Sequence, residues 1–196
     1  TYDQNHIQRI SMPIGGIGTG TISLKGSGGL QDWEVMNRAA KGFNPSIHNP
    51  TIERQRTPFF AINVQQGVTS ITRNLEGGPM GESDFVGIHG SGRANHGLPK
   101  FTNATFEAAY PFGKANLSDT KLPVDVIVKA FNPLIPGKTD DSSIPTAILE
   151  YTVINTSSQS VEVTICGTVP NYIGFDGRVN KITKNQNFFR NRNGLK

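Results

Sequence analysis

Apolar residues recur at every second position in repeated stretches of this chain, and the 3.6-residue period of an amphipathic helix is nearly absent. That pattern restricts the fold to half-buried strands, whose successive side chains point to opposite faces. It predicts strands over Thr19 to Leu24, Leu30 to Asn37, Pro58 to Gln65, Val68 to Arg73, Ala104 to Phe112, Leu122 to Phe131, Thr146 to Asn155 and Ser160 to Val169. In "TAILEYTVIN" the residues Ala147, Leu149, Tyr151 and Val153 share a face, and in "SVEVTICGTV" Val161, Val163 and Ile165 do. The polar link "TSSQ" between them predicts a hairpin. "LPVDVIVKAF" is apolar on both faces, with Val124, Val126 and Val128 on one and Ile127 and Phe131 on the other. It reads as a central strand buried on both sides. "NLEGGPMGESDFVGIHGSGRANHGLPK" and "NPLIPGKTDDSSIP" read as long surface loops, a class that often carries function. With 22 glycines and 12 prolines in 196 residues, the chain is a loop-rich, all-β, antiparallel domain of ordinary size.

"MPIGGIGTGTISLKGSGGLQDWE" concentrates glycine at Gly15, Gly16, Gly18 and Gly20. A dinucleotide-binding loop requires G-x-G-x-x-G between a strand and a helix. Here Gly16, Gly18 and Gly20 are spaced as G-x-G-x-G, and the β-branched run "TISL" follows in place of a helix N-terminus that receives an anion. No G-x-x-x-x-G-K-[ST] occurs. These glycines therefore read as a backbone turn, an irregular strand entry that needs positive φ or close backbone approach.

The net charge of +4 is unevenly distributed. From Arg178 onward six Lys or Arg occur without an acid, so this tail carries +6 and the rest of the chain −2. Basic residues beside Phe188 and Phe189 have the composition of a nucleic-acid contact, but no recognition motif accompanies them and no nucleic-acid partner is expected. The tail reads instead as a segment that pairs with polypeptide beyond it. Cys166 is the single cysteine, which excludes an intrachain disulfide and reads as a small apolar strand residue. No apolar run is long enough for a transmembrane helix. The chain opens on Thr1; a periplasmic or secreted location is expected if an export signal preceded it.

Alternation over "LQDWEVMNR" puts Asp32, Glu34, Met36 and Arg38 on one strand face and Trp33, Val35 and Asn37 on the other. Carboxylates at i, i+2 lie about 6 to 7 Å apart, within reach of a glycosidase acid/base pair. Side chains that point in parallel do not converge across a substrate, so an ion network with Arg38 over a core Trp33 is the better reading. His6, His48, His89 and His96 lack partners at ligand spacing, and "TDDSS" lacks the closing glutamate of a calcium loop, so neither a metal nor another cofactor is expected. No serine sits in a G-x-S-x-G elbow.

Taken in order, "GGIGTGTISL", "GSGGLQDWEVMNRAAKGFNP", "PFFAINV" and the long run from "YPFGKANLSDTKLPVDV" to "TICGTVPNYIG" resemble the N-terminal β-sandwich domain of glycoside hydrolase family 116. That family contains the non-lysosomal glucosylceramidases and bacterial and archaeal β-glucosidases. The resemblance runs in patches from about Pro13 to Lys196. It implies a retaining glycosidase in which the sandwich packs on an (α/α)6 barrel that supplies the nucleophilic glutamate and the acid/base aspartate. No position here matches those motifs, so no catalytic residue is assigned and the chain by itself is expected to be inactive. "NRNGLK" resembles the start of a further sandwich strand, which implies that residues 1–196 are an N-terminal domain truncated at its C-terminal end.

Under this resemblance the partners are the catalytic helical domain of the same polypeptide and a β-glucoside substrate. Asp32, Glu34 and Arg38 become candidates for the active-site rim or the interdomain contact, beside the turn at Gly15, Gly16, Gly18 and Gly20. The alternatives are a stand-alone carbohydrate-binding sandwich, which needs exposed aromatic platforms, or a purely structural one.

Overall fold

A computed structural model of the chain describes residues 1–35, 47–49, 54–56, 58–80 and 97–171, with the side chains of 47–49 and 54–56 excepted. Strands are the dominant regular element among the described residues, and turns and loops make up most of the rest. The sheet β1-β2-β3 comprises β1 (Ser11–Ile14), β2 (Thr21–Lys25) and β3 (Leu30–Glu34), and β4 (Ile47–Asn49) pairs with β5 (Arg54–Arg56). The remaining described strands form two four-stranded sheets. One runs β13-β6-β7-β8, from β6 (Phe59–Gln66), β7 (Thr69–Gly77), β8 (Lys100–Phe101) and β13 (Glu162–Thr168). The other runs β12-β11-β10-β9, from β9 (Asn103–Ala109), β10 (Phe112–Ser118), β11 (Val124–Phe131) and β12 (Leu149–Asn155). A single helical turn, α1 (Thr139–Ser142), lies in the loop between β11 and β12. Among the described residues all strand pairings are antiparallel except that of β7 with β8.

The two larger sheets contribute to one core. Ile62, Val64 and Leu75 come from β6 and β7, and Ala104, Phe106, Ala115, Leu117, Val124, Val126, Val128 and Ala130 from β9, β10 and β11. Ile14 and Leu24 of the three-stranded sheet join the same cluster, which makes the architecture an all-β sandwich. Arg73 on β7 and Asp119, in the turn after β10, form an ion pair at 2.9 Å, with the Asp119 side chain 2% exposed. Burial alone raises this carboxyl. The Lys121 backbone N–H and the Arg73 guanidinium outweigh burial and hold it below the usual aspartate range.

Several sequence expectations need correction. "TAILEYTVIN" and "SVEVTICGTV" form no hairpin: β12 pairs with β11, with Val153 opposite Val126, while β13 pairs with β6, with Ile165 opposite Ile62. The link between them passes from one sheet to the other. Asn155 shapes it, its Oδ1 accepting the Ser157 N–H at 2.9 Å and its Nδ2 donating to the Gln159 carbonyl at 2.8 Å. The inward faces are those the alternation indicates, since Leu149, Tyr151, Val153, Val161 and Val163 all pack against the core. Alternation fixes which face turns inward, and two strands facing each other across a core satisfy it as well as two strands side by side.

β11 is central, but only one face is fully buried. Val124, Val126, Val128 and Ala130 are inaccessible, whereas Ile127 and Phe131 are half-buried on an outer face shared with Asp125 and Lys129. β10 carries no apolar period in the sequence, because its inward residues include Gly113 and Ala115, which are small. β1, too, lies outside the expected strands, and it contains Pro13. The stretch expected as one strand to Phe112 divides at the cis Tyr110–Pro111 bond between β9 and β10. β7 runs past Arg73 to Gly77, into a stretch that reads as loop.

Candidate functional site

Between β1 and β2 the glycine loop reaches across to the sheet that contains β11. The Gly15 N–H donates to the Phe131 carbonyl at 3.4 Å and the Ile17 N–H to the Ser142 carbonyl at 2.9 Å. Thr19 Oγ1 donates back to the Gly16 carbonyl at 2.9 Å, closing the loop on itself. Gly15, Gly18 and Gly20 have φ of 93°, 73° and 95°. Two close approaches depend on a missing side chain. A Cβ on Gly16 would overlap the Ile144 carbonyl oxygen and stand 2.9 Å from the Ser143 carbonyl carbon, and one on Gly20 would lie 2.8 Å from the Glu34 carbonyl oxygen. Gly16 therefore meets the loop after β11, and Gly20 meets the end of β3.

The loop after β11, residues 132–148, is organised around a buried serine. Ser142 is 1% exposed; its Oγ accepts the Ile135 N–H at 2.9 Å and donates to the Lys138 carbonyl at 2.7 Å. The interior of this loop is occupied by a hydroxyl and backbone, and its large apolar side chains turn outward. Leu134, Ile135, Ile144 and Ile148 are exposed, as is Ile17 on the glycine loop bonded to it. Apolar side chains in "NPLIPGKTDDSSIP" were visible in the sequence as residues that fit no strand.

Asp32 and Trp33 depart from the expected alternation. The pairing of β2 with β3 shifts between Thr21 and Ser23, so Thr21 faces Glu34 and Ser23 faces Gln31. This β-bulge puts one extra residue on β3, with Asp32 at φ 52°. Consecutive residues Asp32 and Trp33 are consequently both buried, at 4% exposure each. The parallel i, i+2 carboxylates required of a regular strand do not form. The Ser11 hydroxyl donates to Asp32 Oδ2 at 2.5 Å and ties β1 to β3, while Glu34 ends β3 half-buried beside Gly20. Arg38 lies outside the described residues, as do His89 and His96.

His6 is exposed and pairs with Asp3 at 2.6 Å. Among the described residues no group of three His, Cys, Asp or Glu side chains is placed to hold a metal ion, and no helix is long and apolar enough to cross a membrane. The exposed aromatics among them are Tyr2, Tyr110 and Phe112.

Residues 11–195 match the family model described as beta-glucosidase 2, glycosyl-hydrolase family 116 N-term. The chain belongs to this family. The match spans the glycine loop, the β3 bulge and both four-stranded sheets, so the surface described above is part of the family 116 N-terminal domain. No curated protein matches the chain. For the family 116 domain the described residues offer a locked pair of loops with outward apolar side chains and a carboxylate, Glu34, at their margin. Asp32 is held within the fold behind them.

Proposed function

We propose that this chain is the non-catalytic sandwich of a retaining β-glucosidase or glucosylceramidase-like enzyme. It docks on the (α/α)6 catalytic domain of the same polypeptide and shapes the entrance for a β-linked glucoside. The supporting observation is the outward apolar cluster on two loops bonded to each other, Ile17 on one and Leu134, Ile135, Ile144 and Ile148 on the other. Exposed apolar side chains on two hydrogen-bonded loops suit a permanent contact, because burying them gains solvent-transfer free energy. Glu34 and Arg38 are the candidates to meet the catalytic domain or line the rim, and Asp32 acts behind them by fixing β1 to β3. A stand-alone sugar-binding module is less well supported, since the single tryptophan, Trp33, is buried, which leaves Tyr2, Tyr110 and Phe112 as the exposed aromatics among the described residues.

The test is Ile144→Lys in the intact enzyme, with Val68→Lys, at a fully exposed turn, as control. Turnover of an aryl β-glucoside and the thermal midpoint should fall for Ile144→Lys and stay unchanged for the control. Parental activity and midpoint in Ile144→Lys would overturn the docking reading.

A further inference from the structure

The first ten residues precede the family match at 11–195, yet they are built into the sandwich at two points. β9 is the last strand of its sheet, and Tyr2 meets its outer edge in an isolated antiparallel bridge to Phe106. The Tyr2 N–H donates to the Phe106 carbonyl at 2.6 Å and the Phe106 N–H to the Tyr2 carbonyl at 2.9 Å. Further along, Ile7 is 2% exposed and belongs to the core cluster, the one fully buried residue of the first ten. Between these anchors the chain turns on Asp3, whose Oδ1 accepts the Asn5 N–H at 2.9 Å and whose carbonyl accepts the His6 N–H at 3.0 Å.

The seat of Ile7 is built from glycine. A Cβ on Gly26, in the turn between β2 and β3, would overlap the Ile7 carbonyl oxygen and stand 2.8 Å from Ile7 Cβ. Gly26 is not among the glycines with positive φ, so its need for a bare backbone is a need for space. A Cβ on Gly78, just past β7, would stand 2.9 Å from Ile7 Cδ1 and 3.5 Å from Ala104 Cβ on β9. Ile7 is thus gripped between the β2–β3 turn and the end of β7, beside the strand whose edge Tyr2 covers. A single residue pair gives two backbone hydrogen bonds, too little to hold an exposed segment against the entropy of ordering it. Tyr2 therefore stays on the edge because Ile7 stays in its seat.

We infer that the outer edge of β9 and the glycine seat beside it form one docking site for an extended segment, occupied by residues 2–7 of this chain as a strap. The site lies within the residues that match the family, and its occupant lies outside them. The mode is strand addition, in which main-chain hydrogen bonds supply the pairing and a pocket selects one apolar side chain. A bare edge strand is a template for pairing with another chain, so the strap also guards β9 against association.

Hydrogen exchange of the 1–196 chain tests the inference. Ile7→Ala empties the seat, and the Phe106 amide should then lose its protection and exchange within about tenfold of an unstructured amide, while the Val126 amide of the central strand β11 stays protected. A synthetic peptide of residues 1–10, added in excess to the Ile7→Ala chain, should restore protection at Phe106 several-fold and saturably. The same peptide with Ile7→Ala should not. Gly26→Ala fills the seat from the opposite side and leaves the strap sequence intact, so it should release Phe106 likewise and be insensitive to the peptide. A Phe106 amide as protected in Ile7→Ala or Gly26→Ala as in the parent would overturn the inference, since the edge pairing would not depend on the seat. So would a parental peptide that gives no protection, since the site would not accept a separate segment.

Discussion

Gly16→Ala is the most direct probe of the joint between the two loops. The added methyl carbon overlaps the Ile144 carbonyl oxygen and lies 2.8 Å from the Ile144 carbonyl carbon, where ordinary contact begins at 3.4 Å. The atoms in the way are backbone, so no side chain can rotate to relieve the overlap and one loop must move off the other. Forced overpacking of this kind costs about 1–3 kcal/mol. Separating the loops also weakens the Ile17 N–H bond to the Ser142 carbonyl, a loss of about 1 kcal/mol. Stiffening of the unfolded chain by alanine works the other way, by about 0.4–1 kcal/mol. The balance is a destabilisation of about 2–3 kcal/mol.

Gly18→Ala is the matched control, since it has φ 73° and nothing within 4 Å of its Cβ. It incurs only the left-handed backbone penalty of about 1–2 kcal/mol, reduced by the same unfolded-state gain. In urea, with a slope of about 2 kcal/mol/M, the midpoint should fall by about 1–1.5 M for Gly16→Ala and by about 0.5 M for Gly18→Ala, at unchanged slope. Equal midpoints, or a larger loss for Gly18→Ala, would refute close approach as the reason for glycine at position 16.

Asp119→Ala leaves the Arg73 side chain, 15% exposed, without its carboxylate and should cost about 3 kcal/mol in urea unfolding. The Asp119 carboxyl is held below the ordinary aspartate range, so its contribution is complete above an unfolded pKa of about 4 and is lost as pH falls through the lower folded value. Stability measured from pH 5 downward should therefore decline more steeply in the parent than in Asp119→Asn. Ser142→Ala removes the acceptor of the Ile135 N–H inside the loop and should cost about 1–3 kcal/mol, read as a lower thermal midpoint. An unchanged midpoint would show that the serine does not organise this loop.

The two-residue period of the sequence determined the fold class and the inward faces of β12 and β13, because the alternation of side chains across a pleated backbone is a local property. Val124, Val126 and Val128 are buried as that period requires, as are Ile62 and Val64. Family membership was also legible, carried by an ordered series of motifs from the glycine loop to "TICGTVPNYIG". Strand partners were not legible: β12 and β13 have the alternation of a hairpin yet belong to opposite sheets, since pairing depends on where the chain crosses the core. The candidate surface divides along the same line. Glycine clustering showed that bare backbone was needed between Gly15 and Gly20, but the surfaces it approaches, Ile144 and Glu34, lie far away in sequence or across a turn. Asp32 read as an outward strand carboxylate until the extra residue in β3 turned it inward to Ser11. A bulge changes which side faces the core without changing a single residue type, so only the tertiary structure decided it.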